Sequence, residues 1–491
     1  MNSANVPMTF SPLNYTLLAI YLLAMLAIGW IYARRQKQGE DYFLAGRNLP
    51  WLAVAMSLYA SVTSAMTYMG LPGMAFSENA SLLIVALMSP VVAPLLIRVY
   101  YPVYRRMRLT TSYEYIAFRF GRSARVAVAI LFLLARLGWL GTVIYAPALA
   151  LSVVTSLPLW ISILLMGLLA TIYTVMGGLA AVVWTDVVQF IIMVVGAIWL
   201  AVVLAARVPG GVAEILAVAQ SSGRLNIGDW SFQTMTMNSL SVVIAYFFIL
   251  QQDYGVDQVS VQRLLAVRDD RGVTRAIVFN AITDFLMIGL LLFIGLGLWA
   301  FNQSHPDFYQ AGLSGDRVLP YFIIHALPDG VSGLLITAIF AAAMSSMDSG
   351  INSLATVILV DLDKPFRTTP LTDRQEVRAA RWLTLLLGLI STGIAFLVVD
   401  IGGILKAFYT FMGLFSAPVL ALFVLGLLTR HARFIPWLIG TGAAIGLTLL
   451  ARRTNAMHEI YFFPFAFCVT FVTGYLLSLW NRRPAETGGN P

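Results

Sequence analysis

A chain of 491 residues with 59% hydrophobic and only 11% charged side chains is too apolar for a soluble domain. Its net charge of +8 lies in short runs between long apolar stretches, so it is a topology signal and excludes a nucleic-acid partner. One cysteine and four histidines without zinc-site spacing leave no disulfide framework and no metal-centred catalysis.

Thirteen stretches are long and apolar enough to cross a hydrocarbon core of roughly 30 Å as helices. They begin near Tyr15, Trp51, Ala80, Ala124, Leu157, Ala180, Leu240, Val273, Val331, Arg381, Ile401, Phe434 and Ile460. The first has neither a basic flank nor a small-residue cleavage site and is expected to remain as a helix. The pattern predicts an all-α polytopic membrane protein. Cys468, in the last span, is expected to be a small buried hydrophobe.

Most of the 31 basic residues fall on one side of such a bundle. Arg34, Arg35, Lys37 and Arg47, the arginines from Arg98 to Arg125, and Arg263, Arg268, Arg271 and Arg275 share that side. So do Lys364 through Arg381, Arg430, Arg433, Arg482 and Arg483. The positive-inside rule then places the N-terminus outside and the C-terminus in the cytoplasm. Arg136 and Lys406 lie within helices.

The second span, "WLAVAMSLYASVTSAMTYMGLPGMAF", meets Ser61, Thr63, Ser64, Thr67, Gly70, Pro72 and Gly73 in mid-membrane, so an unbroken helix is not expected. The seventh, "SVVIAYFFILQQDYGVDQVSVQRLLAV", is interrupted by Gln251, Gln252, Asp253, Gly255, Asp257 and Gln258. Each opens a set of five helices, and an odd set inverts its copy across the membrane. That is the inverted-repeat transporter pattern, in which broken helices coordinate ions and solute near the midplane.

The expected organisation is an extra helix and first cytoplasmic loop over 1–50, a first five-helix repeat over 51–206 and an extracellular loop over 207–237. A second, inverted repeat covers 238–428, and two helices with a short cytoplasmic tail cover 429–491. In the ninth span, "GLLITAIFAAAMSSMDSGINSLATV", residues Ala342, Ser345, Ser346 and Ser349 share one face beside Asp348. Oxygen-only ligands suit a hard cation. Close packing of small residues explains such a face equally well until a partner is found. No phosphate-binding glycine loop, nucleophile elbow or nucleotide domain is visible, which argues against an enzyme or a primary pump. The segment after Trp480, "NRRPAETGGNP", is too short for a sensor's output domain, and no filter motif suggests a channel.

The stretches "DYFLAGRNLPWL", "TSYEYIAFRFG", "IYAPALAL", "YTVMGGLAAVVWTDVVQ", "DQVSVQRLLA" and "SSMDSGINSLATVILVDL" occur in this order along nearly the whole chain. In them the sequence resembles the sodium/solute symporter family, whose members cotransport sodium with sugars, sialic acid, proline, pantothenate, monocarboxylates or iodide. The resemblance implies a leucine-transporter-like fold of about thirteen helices in a bacterial-type inner membrane, working as a monomer. It implies a first sodium site at Ala60, Thr63, Ala342, Ser345 and Ser346. It also implies a possible second at Asp186, Ser345, Asp348 and Ser349, so one or two Na+ ions. Asp348 stands where relatives with that site have serine; alternatively, Asp186 pairs with an arginine near the inner face.

The resemblance further implies a solute cavity lined by Ser64, Thr67, Leu82, Ala86 and Trp139, with Arg136, Tyr254, Asp257 and Gln258 around the seventh-span break. In sialic-acid-transporting relatives the position of Trp139 is an arginine. Arg136, one turn earlier, either replaces it or pairs with Asp257 or Asp284. "GTVIYAPALAL" and "INSLATVILVDLDKP" look like the iodide, monocarboxylate and vitamin branch, "VDQVSVQR" like the sugar branch. The expectation is sodium-coupled import of a small organic solute, with a lean toward a carboxylate. The alternatives are proton coupling on the same fold, or a sugar or sialic acid as cargo.

Overall fold

A computed structural model describes residues 10–33, 39–155, 157–231, 233–309, 313, 315–398 and 404–480. Among these, the regular structure is helical, with a single backbone bridge between Leu49 and Val267. Ten helices are long and apolar enough to cross a membrane, and a pair bent by 60°, Trp51–Val62 with Ala65–Ser77, makes an eleventh span. The two remaining expected spans are not continuous helices of spanning length. The fifth, Leu159–Ile172, is short and runs into the sixth through Gly178, whose φ of 53° only glycine adopts without strain. The seventh is split into Ser239–Gln251 and Gln258–Leu265 by a wide turn over Gln252–Val256.

Several boundaries differ from those expected. The third span begins at Leu83 rather than Ala80, after a turn at Ser81 and Leu82, and the tenth begins at Asp373 rather than Arg381, because a polar first turn continues that helix beyond its apolar core. The expected start at Ile401 lies outside the described residues, as do Arg34, Arg35, Lys37, Arg482 and Arg483. Cys468 is exposed on the last span, so it is a small hydrophobe facing outward rather than a core residue.

Burial orders the helices. In the ninth span, Val331–Phe366, 94% of the most apolar window is buried, against 22% for the first span, Pro12–Tyr32. The helix carrying the polar face is therefore the centre of the bundle, while the first lies at its edge. Yet the first span steadies the ninth. Asn14 Oδ1 accepts the backbone N–H groups of Gly330 (2.8 Å) and Gly333 (3.0 Å), capping the ninth helix from outside, and Tyr21 OH reaches the sulfur of Met344. The eighth span, Asp270–Ser304, closes on the broken second span. A Cβ on Gly295 would lie 2.3 Å from the Pro72 carbonyl, so only glycine permits this approach.

Candidate functional site

The second span breaks at Thr63 and Ser64, both extended, not at the Gly70–Gly73 cluster; Pro72 sits inside the following helix. A helix that stops here leaves its last carbonyls without the usual partners. The Tyr59 carbonyl is taken by the Thr63 N–H at 2.9 Å. The next two are met by the ninth span: Ser345 Oγ donates to the Ala60 carbonyl at 2.7 Å, and Ser346 Oγ to the Ser61 carbonyl at 3.0 Å. Ser345 also lies 3.1 Å from the Ala342 carbonyl. Ala60, Ala342, Ser345 and Ser346 are fully buried and Thr63 nearly so. Three of the five residues expected at the first sodium site, Ala60, Ala342 and Ser345, are thus joined by these contacts; Ser346 is bonded to the neighbouring Ser61, and Thr63 forms the break beside them.

Below this cluster lies a second polar knot. Asp186 Oδ2 accepts from Ser57 Oγ (2.6 Å), Ser61 Oγ (3.2 Å) and the Arg263 guanidinium (3.2 Å). Ser349 Oγ lies 2.9 Å from Ser61 Oγ and donates to Asp348 Oδ1 at 3.1 Å, and Arg263 donates to Ser349 as well. Arg263 also binds Ser57 Oγ at 2.8 Å and is only 1% exposed. Arg263, counted from sequence among the basic residues of the cytoplasmic side, is buried between the second, sixth and ninth spans. The structure brings Asp186, Asp348 and Ser349 together, as expected, but with a guanidinium among them.

A cavity of about 140 Å³ adjoins the break. Of the residues expected around it, Ser64, Thr67, Leu82, Arg136, Trp139 and Tyr254 line it. Ala86, Asp257 and Gln258 do not. Ala86 is fully buried on the third span. Asp257 forms an ion pair with Arg136 and caps the helix after the break through the Val259 N–H at 2.9 Å. Gln258 turns away to the Ser112 N–H (3.1 Å) and the Thr110 carbonyl (3.2 Å). Of the two acids considered for Arg136, the partner is Asp257, and the guanidinium lies 4.4 Å from the Trp139 ring centre.

The wall also holds Ser89 and Ser260, which sequence reasoning left unassigned, Asp253 of the seventh-span break, and Asp284, considered there only as a partner for Arg136. Asp284 Oδ2 accepts from Ser89 Oγ at 2.6 Å and Tyr254 OH at 3.0 Å. Ser89 and Asp284 are far apart in sequence, so their pairing carries no local signal.

Comparison with known proteins agrees with this geometry. The Sodium:solute symporter family profile matches residues 42–434. The chain is 31% identical over 473 residues to the sodium/sialic acid symporter NanT of Aliivibrio fischeri, covering 95% of this chain and 93% of that protein. It is 32% identical over 449 residues to the human sodium/iodide cotransporter, covering 90% and 70% respectively. Among solved structures, a substrate-bound, outward-open Na+-coupled sialic acid symporter superposes with a TM-score of 0.90 at 27% identity, over 96% of this chain and 99% of that one. Mhp1, a nucleobase-cation-symport-1 family transporter, matches with a TM-score of 0.54 at 15% identity, over 89% and 94%, a likeness of fold alone. Two broken spans around a buried serine face, on a leucine-transporter-like scaffold of inverted repeats, thus coincide with a profile match over most of the length. The chain belongs to the sodium:solute symporter family and is a sodium-coupled transporter rather than an enzyme.

Proposed function

We propose that this protein imports a small organic solute with sodium by alternating access, and that Ala60, Thr63, Ala342, Ser345 and Ser346 hold the driving ion. The observation that carries this reading is the contact between Ser345 Oγ and the Ala60 carbonyl, a hydroxyl of one helix on a carbonyl freed by the break of another. Carbonyls of Ala60, Thr63 and Ala342 with the two hydroxyls give about five oxygens, a set suited to a small hard cation. When sodium enters, the hydroxyl hydrogens turn away and both serine oxygens become ligands. The second span is thereby tied to the ninth, and the outward-open state gains stability by as much as sodium prefers it.

Arg263 argues for a single sodium. A second ion at Asp186, Ser345, Asp348 and Ser349 would lie against a buried guanidinium already bonded to Asp186 and Ser349. The solute cavity is the space beside the break, and its size of about 140 Å³ suits a small solute. The orientation proposed is N-terminus outside and C-terminus inside, in an inner membrane, with one chain sufficient for transport.

The test is a solute screen in proteoliposomes under an imposed inward sodium gradient at constant pH, with solute-evoked current as readout. Currents that require sodium support the reading. Currents indifferent to sodium and driven by a proton gradient contradict it.

A further inference from the structure

The charged residues lining the central cavity are Arg136, Asp253 and Asp284. Arg136 is committed to Asp257, which neutralises it. Asp284 is 7% exposed; its Oδ2 accepts from Ser89 and Tyr254, and its Oδ1 accepts no hydrogen bond among the described residues. Asp253 makes no hydrogen bond among the described residues. Two carboxylates therefore face one small cavity with no ion pair to either among the described residues, Arg136 being paired with Asp257 and acting on Asp253 only from a distance, although burying acid side chains in a membrane protein is costly unless they are paired. Ser260 supplies an independent sign of a missing ligand. The residue is 1% exposed and lies in the same wall, and its hydroxyl has no partner among the described residues, a rare condition for a buried hydroxyl.

We infer that the transported solute carries a protonated amine, held by the Asp253 and Asp284 carboxylates with Ser260 Oγ accepting one of its hydrogens. This rests on the reading of this cavity as the solute site. It departs from the carboxylate expected from sequence, for a physical reason. An anionic solute would meet two carboxylates and one already neutralised guanidinium, so its charge would be repelled rather than matched. An ammonium group supplies the absent counter-charge and donates to all three oxygens at once.

The experiment uses the purified full-length protein and three probes of equal chain length: n-butylammonium, n-butanol and n-butyrate. Thermal stability is followed with each, in sodium and in potassium at matched pH and ionic strength. The expected result is a saturable rise with n-butylammonium in sodium, a smaller rise with n-butanol and none with n-butyrate. Asp253→Asn, which keeps shape and removes charge, is expected to weaken the n-butylammonium response roughly ten- to hundredfold in half-saturating concentration. Asp253→Glu restores part of it, which separates lost charge from lost folding.

A larger response to n-butyrate, an n-butylammonium response equal in Asp253→Asn, or no response to any probe overturns the inference. It is also overturned if the rise caused by sodium alone disappears in Asp253→Asn, because Asp253 would then belong to the ion site. The two readings fail separately. A sodium-dependent rise without a preference for ammonium leaves the symport reading intact, whereas an ammonium response indifferent to sodium sinks the coupling and spares the amine.

Discussion

The broken second and seventh spans look alike in sequence, each a polar interruption of an apolar helix, yet their freed backbone groups meet different fates. In the second, the Ala60 and Ser61 carbonyls are met by the hydroxyls of Ser345 and Ser346, which are proposed as sodium ligands. In the seventh, the carbonyls of Tyr254, Gly255 and Val256 are taken by Tyr101 OH (2.7 Å), Tyr104 OH (2.8 Å) and Ser112 Oγ (2.8 Å) from neighbouring helices. An irregular backbone inside a membrane must be satisfied by something. Where Tyr101, Tyr104 and Ser112 satisfy it, the break is a structural joint; where the partners are serines of an oxygen-lined face, it has the makings of an ion site.

The largest effect expected from disturbing this contrast is at Arg263, which joins the half-helix after the seventh-span break to Asp186. Arg263→Met leaves a buried carboxylate unpaired and should cost about 3 to 5 kcal/mol of stability. Thermal unfolding of Arg263→Met beside Arg263→Met/Asp186→Asn checks this, since the double variant should recover most of the loss. Next comes the joint itself. Tyr104→Phe removes the donor to the Gly255 carbonyl and should lower stability by about 1 to 3 kcal/mol without moving the sodium concentration for half-maximal stabilisation. A changed sodium response there would mean that the two breaks are not separate in function. Smallest is the cap from the first span: Asn14→Ala should cost about 1 kcal/mol, read as a lower melting temperature with sodium affinity retained.

How far each region was legible in sequence follows from the range of its interactions. The serine face of the ninth span is periodic at i, i+3, i+4 and i+7 within one helix, so local reading found it whole. The break of the second span is expected anywhere from Ser61 to Gly73, and the structure narrows it to Thr63 and Ser64. Proline is tolerated in a membrane helix when neighbours satisfy the freed group, whereas Thr63 and Ser64 carry no strong breaking signal. Arg263 was misjudged because a basic residue close to a polar loop looks like a topology signal until a distant partner appears; Asp186 lies 77 residues away in the chain. Asp257 was expected to face the solute, but its bond to the Val259 N–H makes it a helix cap, a competing use for an acid at a helix start. The cavity wall at Asp253, Ser260 and Asp284 depends on how the third, seventh and eighth spans pack, which no single stretch encodes.

The most direct test of the central claim is a sodium titration of the melting temperature of the full-length protein at constant ionic strength in potassium, for the wild type and Ser345→Ala. The wild type should show a saturable rise, and Ser345→Ala a half-saturating concentration at least about tenfold higher, since one ligand oxygen is gone. Identical titrations of the two proteins would contradict it.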